Sequence, residues 1–272
     1  MSMQTKVRFQ YAEAPLMFKR SLIFNLQFSI FNKFMNDLLL IPDIHGRTFW
    51  REAIENTSWS HVVFLGDYTD PYPHEGISPE EAYNNFIDIL HYTIDHREQT
   101  TLLLGNHDMH YKSQVFRELA MGSRYSHKLA KRYEYLFDTF CGFFSMAYDV
   151  ECDGVKCLIT HAGVVPEWYQ RHTKLIGELN AANLNRLTES YEGMAALSEI
   201  GWIRGGLNPC GGPLWADCEE MGPMDGGPFQ IFGHTQSLDG RPVVTPDYAC
   251  IDTHRAYLLS EVLAMREPKN LL

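Results

Sequence analysis

Five short segments of the sequence contain residues whose side chains can bind metal ions or transfer protons. They are Asp43-Ile44-His45-Gly46, Gly66-Asp67-Tyr68-Thr69-Asp70, Gly105-Asn106-His107-Asp108, His161-Ala162-Gly163 and Gly233-His234-Thr235. Their carboxylate, imidazole and amide groups form a mixed ligand set that suits Mn²⁺, Fe or Zn²⁺ better than Ca²⁺ alone. Two such ions, held about 3.5–4 Å apart by a bridging carboxylate, can activate a water and bind a phosphoryl group for in-line displacement. The five segments together therefore predict a hydrolase with two metal ions.

The sequence around the segments indicates how they come together. Each segment follows a short apolar run that is typical of a buried strand; the runs cover residues 38–41, 62–65, 102–104, 158–159 and 231–232. In α/β proteins, binding sites form at the carboxyl ends of such strands. We therefore expect the five segments to meet at one edge of the fold.

The first half of the chain alternates predicted strands with predicted helices, which is typical of an α/β protein. The clearest helix is expected over residues 79–97. There, Ser78 is a favourable N-cap, Pro79 is a favourable first residue, and acidic residues occupy the first turn.

The second half has a different pattern, with more predicted strands. Residues 144–150 and 155–160 are expected to form a hairpin, and further strands are predicted over 229–232, 248–252 and 257–262. The intervening segment 201–228 is rich in Gly and Pro and too long for a simple connection. Because long structured loops in small domains are usually functional, we expect it to form a wall of the substrate site.

In their order and context, the five segments resemble those of the calcineurin-like metallophosphoesterase superfamily. The resemblance is strongest to its phosphoprotein phosphatase (Ser/Thr phosphatase) branch and to the symmetrical diadenosine tetraphosphatases. It implies an α/β (α+β) fold, a four-layer αββα sandwich in which two mixed β-sheets are flanked by helices. It also implies a cofactor of two divalent metal ions, with Mn²⁺ as the expected ion and Fe or Zn²⁺ as alternatives.

The resemblance assigns roles to individual residues. The implied ligands are Asp43, His45 and Asp67 for one ion, and Asp67, Asn106, His161 and His234 for the other. Asp67 would therefore bridge the two ions. His107 corresponds to the general acid of the family, and Asp70 to the carboxylate paired with it. A carboxylate beside an imidazole favours the imidazolium form, which keeps a proton available for the departing oxygen.

The sequence departs from the phosphoprotein phosphatases after Asp70. Those proteins have a phosphate-binding arginine at the next position, where this chain has Pro71. Asp108 and Ala162 also replace residues that are usual in the eukaryotic protein phosphatases. Arg204, which precedes two glycines in the 201–228 segment, is our candidate for the missing contact, because a planar guanidinium can bind two phosphoryl oxygens at once.

Composition excludes some functions and favours one compartment. The formal charge of −11 argues against a nucleic-acid partner, since phosphate backbones are bound mainly by clusters of Lys and Arg. The six cysteines lack the spacing and density of a disulfide scaffold, so reduced thiols and a cytoplasmic location are expected. A disulfide between Cys152 and Cys157, which flank a predicted turn, is the one alternative.

The amino-terminal residues differ from the rest of the chain. We expect residues 1–34 to form an N-terminal extension and residues 35–272 to form one catalytic domain, with Met35 as a plausible alternative start. The aromatic stretch over residues 21–34 is too polar and too short to span a bilayer, so no membrane partner is expected.

Three functions are consistent with these observations. The first is a metal-dependent phosphomonoesterase similar to bacterial-type Ser/Thr protein phosphatases, with a phosphoprotein or a small phosphoester or nucleotide as substrate. The second is a dinucleoside polyphosphate (diadenosine tetraphosphate) hydrolase that uses the same metal ions. The third is a catalytically inactive binding module, which is disfavoured because all six ligand positions and the acid pair are present.

Overall fold

Two five-stranded β-sheets deliver the five segments to one place. The structure is a computed structural model that describes residues 37–120 and 122–266, so the predicted extension over residues 1–34 lies outside the described residues. The strands are β1 Leu38–Ile41, β2 His61–Phe64, β3 Thr100–Leu103, β4 Phe144–Ser145, β5 Ala147–Cys152, β6 Val155–Thr160, β7 Phe229–Phe232, β8 Val243–Val244, β9 Tyr248–Cys250 and β10 Tyr257–Leu258.

Both sheets are mixed. The first has the strand order β10-β1-β2-β3-β4, in which β1 to β4 are parallel and β10 is antiparallel to β1. The second has the order β5-β6-β7-β9-β8, in which β6, β7 and β9 are parallel and the two outer strands are antiparallel. The parallel strands of each sheet therefore present their carboxyl ends, and the loops that follow them, at a shared edge.

Nine α-helices connect the strands within the described residues. They are α1 Phe49–Asn56, α2 Pro79–Asp95, α3 Asn106–Lys112, α4 Gln114–Glu118, α5 Ala130–Thr139, α6 Pro166–Ile176, α7 Ala181–Asn185, α8 Tyr191–Leu197 and α9 Leu259–Met265. Helix α2 begins where the sequence predicts, because the Ser78 side chain accepts a hydrogen bond from the Glu81 amide and the Glu81 carboxylate accepts one from the Ser78 amide.

Alternation along the strands creates the layers. Leu38 and Leu40 of β1 pack into a core that also contains Ile159 and Ile231 of the second sheet, so this core fills the space between the two sheets. The alternate residues of β1, such as Leu39, pack with residues of the helices on the outer faces. A strand that is buried on both faces needs apolar residues at every position, as this one has. The predicted four-layer αββα arrangement is confirmed.

Two predicted strands differ from the structure. The segment predicted as one strand over 144–150 divides at Met146: β4 pairs with β3 of the first sheet, whereas β5 pairs with β6 of the second. The Asn185 side chain accepts hydrogen bonds from the Met146 and Ala147 amides at this division, which supplies a partner for both. The last predicted strand, 257–262, is strand only as far as Leu258. Leu259 and Val262, three residues apart, instead form the buried face of α9.

The hairpin register shows whether Cys152 and Cys157 face each other. Val150 faces Cys157 and Cys152 faces Val155, so the two cysteines do not oppose each other, and all six cysteines are free thiols. In the part of the chain that the structure describes, no helix has the length and apolar character needed to cross a bilayer.

Candidate metal centre

The loops after β1, β2, β3, β6 and β7 converge, and they bring the predicted ligands together. Two groups of side chains each place their ligand atoms within 4.8 Å of one another: Asp43, Asp67, His161 and His234 form one group, and His45, Asp67 and His107 form the other. Asp67 belongs to both groups. This is the position that a carboxylate needs if it is to bridge two ions.

Asp67 is buried and surrounded by imidazoles. Its Oδ2 lies 3.3 Å from His45 Nε2 and 3.7 Å from His161 Nε2, and its Oδ1 accepts a hydrogen bond of 3.0 Å from the His107 amide. Burial alone would raise the pKa of Asp67, but the neighbouring imidazoles, His161 foremost, hold the pKa well below its usual range. Asp67 is therefore ionised, which is the form that binds metal ions.

Backbone carbonyls orient two of the histidines. Nδ1 of His45 donates to the Thr69 carbonyl and Nδ1 of His161 donates to the Leu65 carbonyl, each at 2.9 Å. In the neutral ring, the proton is then on Nδ1, and the Nε2 lone pair points into the site. Histidine ligands of metal ions are commonly fixed in this way.

Possible ligand atoms also converge in the group that contains His161 and His234. His161 Nε2 lies 3.1 Å from Asn106 Oδ1 and 3.1 Å from Nδ1 of His234. Burial, with smaller effects of Arg204 and His161, lowers the pKa of His234 well below its ordinary value, so this ring is neutral. Carboxylate, amide and imidazole ligand atoms that converge in this way fit a divalent metal ion.

The Asp43 carboxylate lies near the ligand atoms of Asp67, His161 and His234. Its Oδ1 accepts a hydrogen bond of 2.9 Å from the His234 amide, which ties the first segment to the last.

The backbone at the site adopts conformations that few residues accept. His45, Asp67, Asp70 and His234 all have positive φ, between 43° and 64°, a region that non-glycine residues rarely occupy. Such backbone persists where the surrounding structure enforces it, and it is concentrated at functional sites. Four of the predicted site residues therefore sit in turns that aim their side chains inward.

The acid pair is also assembled. His107 Nδ1 lies 2.7 Å from Asp70 Oδ2, and both side chains are buried. The other oxygen of Asp70 accepts a hydrogen bond from the Tyr111 hydroxyl, which itself accepts one from the Ser126 amide at 2.8 Å. The sequence did not indicate this role for Tyr111. Its spacing of four residues from His107 on helix α3 is the signal that could have found it.

The Asp108 carboxylate connects two of the loops. It accepts hydrogen bonds from the amides of Asp67, Tyr68 and Gly105 at 2.7, 2.9 and 2.9 Å. It therefore joins the second and third segments.

Arg204, the predicted phosphate contact, lies beside the site with two nitrogens already engaged. Its Nε is 2.8 Å from an Asp217 carboxylate oxygen, and one Nη donates to the Thr235 hydroxyl at 2.7 Å. The same Nη lies 3.5 Å from the His234 carbonyl. Arg204 therefore connects its loop to the segment that carries His234.

A second arginine, Arg124, lies closer to the acid pair. Its Nη2 is 3.3 Å from His45 Nε2 and 3.4 Å from His107 Nε2, and its Nε donates to the Asp70 carbonyl at 2.9 Å. It belongs to the connection between α4 and α5, outside the five segments. Nothing in its sequence neighbours marks it, so sequence reasoning missed it.

Comparison with solved structures finds a low-similarity match to a protein serine/threonine phosphatase from Saccharomyces cerevisiae with similarity to human phosphatase PP5. The identity is 16%, the match covers 48% of this chain and 39% of the yeast chain, and the TM-score is 0.34. No protein with a curated description matches the chain. The model of the family described as calcineurin-like phosphoesterase matches residues 37–237. Because that family model matches most of the sequence, this chain belongs to the calcineurin-like phosphoesterase family.

Proposed function

We propose that this phosphoester hydrolase is a phosphomonoesterase with a binuclear metal centre built on Asp67. The observation that supports the proposal best is the position of Asp67 in both ligand groups, with the His107–Asp70 pair immediately beside it. Asp43, His45, Asn106, His161 and His234 are the proposed remaining ligands. When bound, two divalent ions supply an activated water and neutralise charge on the phosphoryl oxygens.

The protein side chains supply the rest of the reaction. We propose that His107 donates a proton from Nε2 to the departing alkoxide, which otherwise leaves poorly at neutral pH. Asp70 accepts from Nδ1 and so directs Nε2 toward the site, and the Tyr111 hydroxyl holds Asp70 in that orientation. Arg204 is proposed as a contact to an outer phosphoryl oxygen through the nitrogen that Asp217 and Thr235 do not engage.

Finer assignments follow from the chemistry of the ligands and the composition. We propose Mn²⁺ as the native ion, because the mixed carboxylate, imidazole and amide set suits it, with Fe or Zn²⁺ as alternatives. A phosphoprotein or a small phosphoester is the proposed substrate. The cytoplasm is the proposed location, since a reducing compartment suits six free thiols.

The test is a substrate panel with the full chain reconstituted with Mn²⁺ and assayed for metal content. We expect kcat/KM for aryl and alkyl phosphomonoesters and phosphopeptides to exceed kcat/KM for diadenosine tetraphosphate. A preference for diadenosine tetraphosphate would favour the dinucleoside polyphosphate hydrolase. A protein that binds no metal and hydrolyses no phosphoester after reconstitution would favour the inactive binding module.

The role of Arg204 is tested by comparing phosphate inhibition of the wild type and of two Arg204 variants. Arg204→Ala should weaken competitive inhibition by inorganic phosphate while two metal ions per chain remain. Arg204→Lys should restore the inhibition only in part, because one ammonium cannot keep the contacts to Asp217 and Thr235 and also bind phosphate as the guanidinium does. If the alanine variant keeps the wild-type phosphate inhibition, Arg204 does not bind phosphate and serves only to hold its loop.

A further inference from the structure

We propose that Arg124 binds the terminal phosphoryl group of the substrate and selects monoesters over diesters. The inference rests on the proposed phosphomonoesterase function and names a residue that lies outside all five segments. Three features of the structure carry it: the anchoring of the Arg124 side chain, the free donors that it presents, and its place between His45 and His107.

The guanidinium is fixed before any substrate binds. Its Cζ lies 3.6 Å from the centroid of the Tyr72 ring, and its Nε donates to the Asp70 carbonyl. Stacking on an aromatic face and one hydrogen bond to a rigid turn leave the plane of the guanidinium little freedom. An arginine held in this way loses less conformational entropy when it binds an anion.

The loop that carries Arg124 is itself attached to helix α3. The Tyr125 ring stacks on the Tyr111 ring, with 4.6 Å between centroids and an interplanar angle of 19°. The Ser126 amide donates to the Tyr111 hydroxyl at 2.8 Å, and that hydroxyl donates to Asp70. The two residues that follow Arg124 are thus connected to the same helix that carries His107.

The remaining donors of Arg124 face the site without a proper acceptor. Nη2 is almost equidistant from the two ring nitrogens of His45, at 3.4 and 3.3 Å, so it lies against the imidazole rather than along one lone pair. Once an ion takes the Nε2 lone pair of His45, that ring offers Nη2 no acceptor. Among the described residues, no acceptor contacts Nη1. A phosphoryl group would supply the missing oxygens to both nitrogens.

The position of Arg124 gives it a role in specificity. Its Nη2 is 3.4 Å from His107 Nε2, the atom proposed to protonate the leaving group, so a phosphoryl oxygen bound to Arg124 lies beside the scissile bond. In a monoester that oxygen is charged and free. In a diester with the phosphorus in the same place, a neutral ester substituent competes for this position, and it can neither accept two hydrogen bonds nor balance the guanidinium charge.

The test measures phosphate binding and substrate preference in the metal-loaded full chain. Arg124→Ala should weaken the calorimetric affinity for inorganic phosphate roughly 10- to 100-fold, the usual cost of losing hydrogen bonds to a charged group. It should also lower kcat/KM for nitrophenyl phosphate and reduce the ratio of monoester to diester hydrolysis, with two ions per chain retained. Arg124→Lys should recover the losses only in part.

Matched variants separate the proposed role from a general effect on stability. Arg132 also stacks on a tyrosine, at 3.9 Å from the Tyr83 centroid, but it is exposed on α5 and belongs to no part of the site. Arg132→Ala should keep the wild-type phosphate affinity and ester ratio. Tyr72→Ala, which removes the stacking surface, should change both quantities in the same direction as Arg124→Ala, and Tyr72→Phe, which keeps the ring face, should change them less.

The outcomes also distinguish this inference from the proposed function. Wild-type phosphate affinity and an unchanged monoester-to-diester ratio in a folded, two-metal Arg124→Ala protein would overturn the role of Arg124 and leave the phosphomonoesterase standing. A wild-type protein that binds two ions but hydrolyses no phosphomonoester would overturn the proposed function. Because the proposed selectivity depends on that function, this result would also overturn the inference, whatever the calorimetry shows.

Discussion

At the scale of single residues, the site works by giving each functional side chain a second partner that fixes its orientation. The Thr69 and Leu65 carbonyls direct the rings of His45 and His161, and Asp70 directs the ring of His107. A ligand or acid that is already oriented does not have to be ordered during the reaction, and such preorganisation is a large part of catalysis. The consequence is that single substitutions should have separable effects.

The first prediction concerns the bridging carboxylate. Asp67→Asn should abolish turnover and reduce metal content at both positions, because an amide at Asp67 offers one neutral oxygen where a carboxylate offers two charged ones. Metal content and turnover of the purified protein check this. Asp138→Asn, an exposed aspartate on α5, is the matched control and should behave as wild type. Two ions per chain and normal turnover in Asp67→Asn would remove Asp67 from the bridging position.

The second prediction concerns the general acid. His107→Asn should slow hydrolysis of an alkyl phosphate by roughly 10²–10⁴, the usual contribution of a positioned acid. Nitrophenyl phosphate should be affected far less, because nitrophenolate departs without a proton. Comparison of kcat for the two esters is the measurement. Equal losses with both esters would mean that His107 holds phosphate or structure instead.

Residues that belong to local motifs could be identified from the sequence, whereas residues that act through long-range contacts could not. The convergence of Asp43 and Asp67 could be predicted, because both follow strands whose carboxyl ends meet at one edge of the fold. Arg124 and Tyr111 act through contacts across 54 and 41 residues of chain, respectively, to Asp70. Such contacts leave no local pattern, because any loop that reaches the same place can provide them.

At the scale of elements, the junctions between strands and loops determine where the carboxylates of the site lie. At the junction of β3 and α3, a Cβ on Gly105 would lie 2.1 Å from Asp67 Oδ1; after β7, a Cβ on Gly233 would lie 2.2 Å from Asp43 Oδ1. These glycines are therefore required for close approach and not for an unusual φ. Because glycine has no Cβ, the Asp67 and Asp43 carboxylates can occupy the adjacent space.

The third prediction follows from that close approach. Gly105→Ala should displace the Asp67 carboxylate and cause loss of metal ions and turnover, although its φ of −97° is acceptable to alanine. Gly142→Ala is the matched control, because a Cβ there meets no atom within 4 Å. Metal analysis and circular dichroism of both variants are the measurements. A fully metallated, active Gly105→Ala protein would show that the loop can shift without disturbing Asp67.

Element boundaries could be predicted where local and tertiary effects agree. Helix α2 begins at Pro79 because its capping residues and its buried face both require it. The segment around Met146 could not be predicted, because β-propensity is similar on both sides and the side chain that divides it, Asn185, lies 39 residues later. The sequence likewise does not predict helix α9, because its apolar run is too short to distinguish the period of a helix from that of a strand.

At the scale of the whole molecule, the two sheets contribute different proposed ligands to one centre. The loops after β1, β2 and β3 of the first sheet carry Asp43, His45, Asp67 and Asn106, and the loops after β6 and β7 of the second carry His161 and His234. The sheets otherwise meet through apolar side chains, among them Leu40 and Ile159. Ions bound at the proposed site would therefore connect the two halves of the sandwich at the edge where these carboxylates and imidazoles lie.

The last prediction is that metal ions stabilise the folded chain as a whole. A ligand that binds the folded state at about 100-fold above its Kd adds about 2.7 kcal/mol to the free energy of unfolding. For a domain of this size, that corresponds to a rise in Tm of roughly 5–11 °C for each site. Chelation should therefore lower Tm in calorimetry, and added Mn²⁺ should restore it in a concentration-dependent way.

The Tm of Asp67→Asn should depend little on metal ions, while the Tm of Asp138→Asn should depend on them as in the wild type. If chelation removes both ions and Tm does not change, the apolar interface alone holds the sheets together.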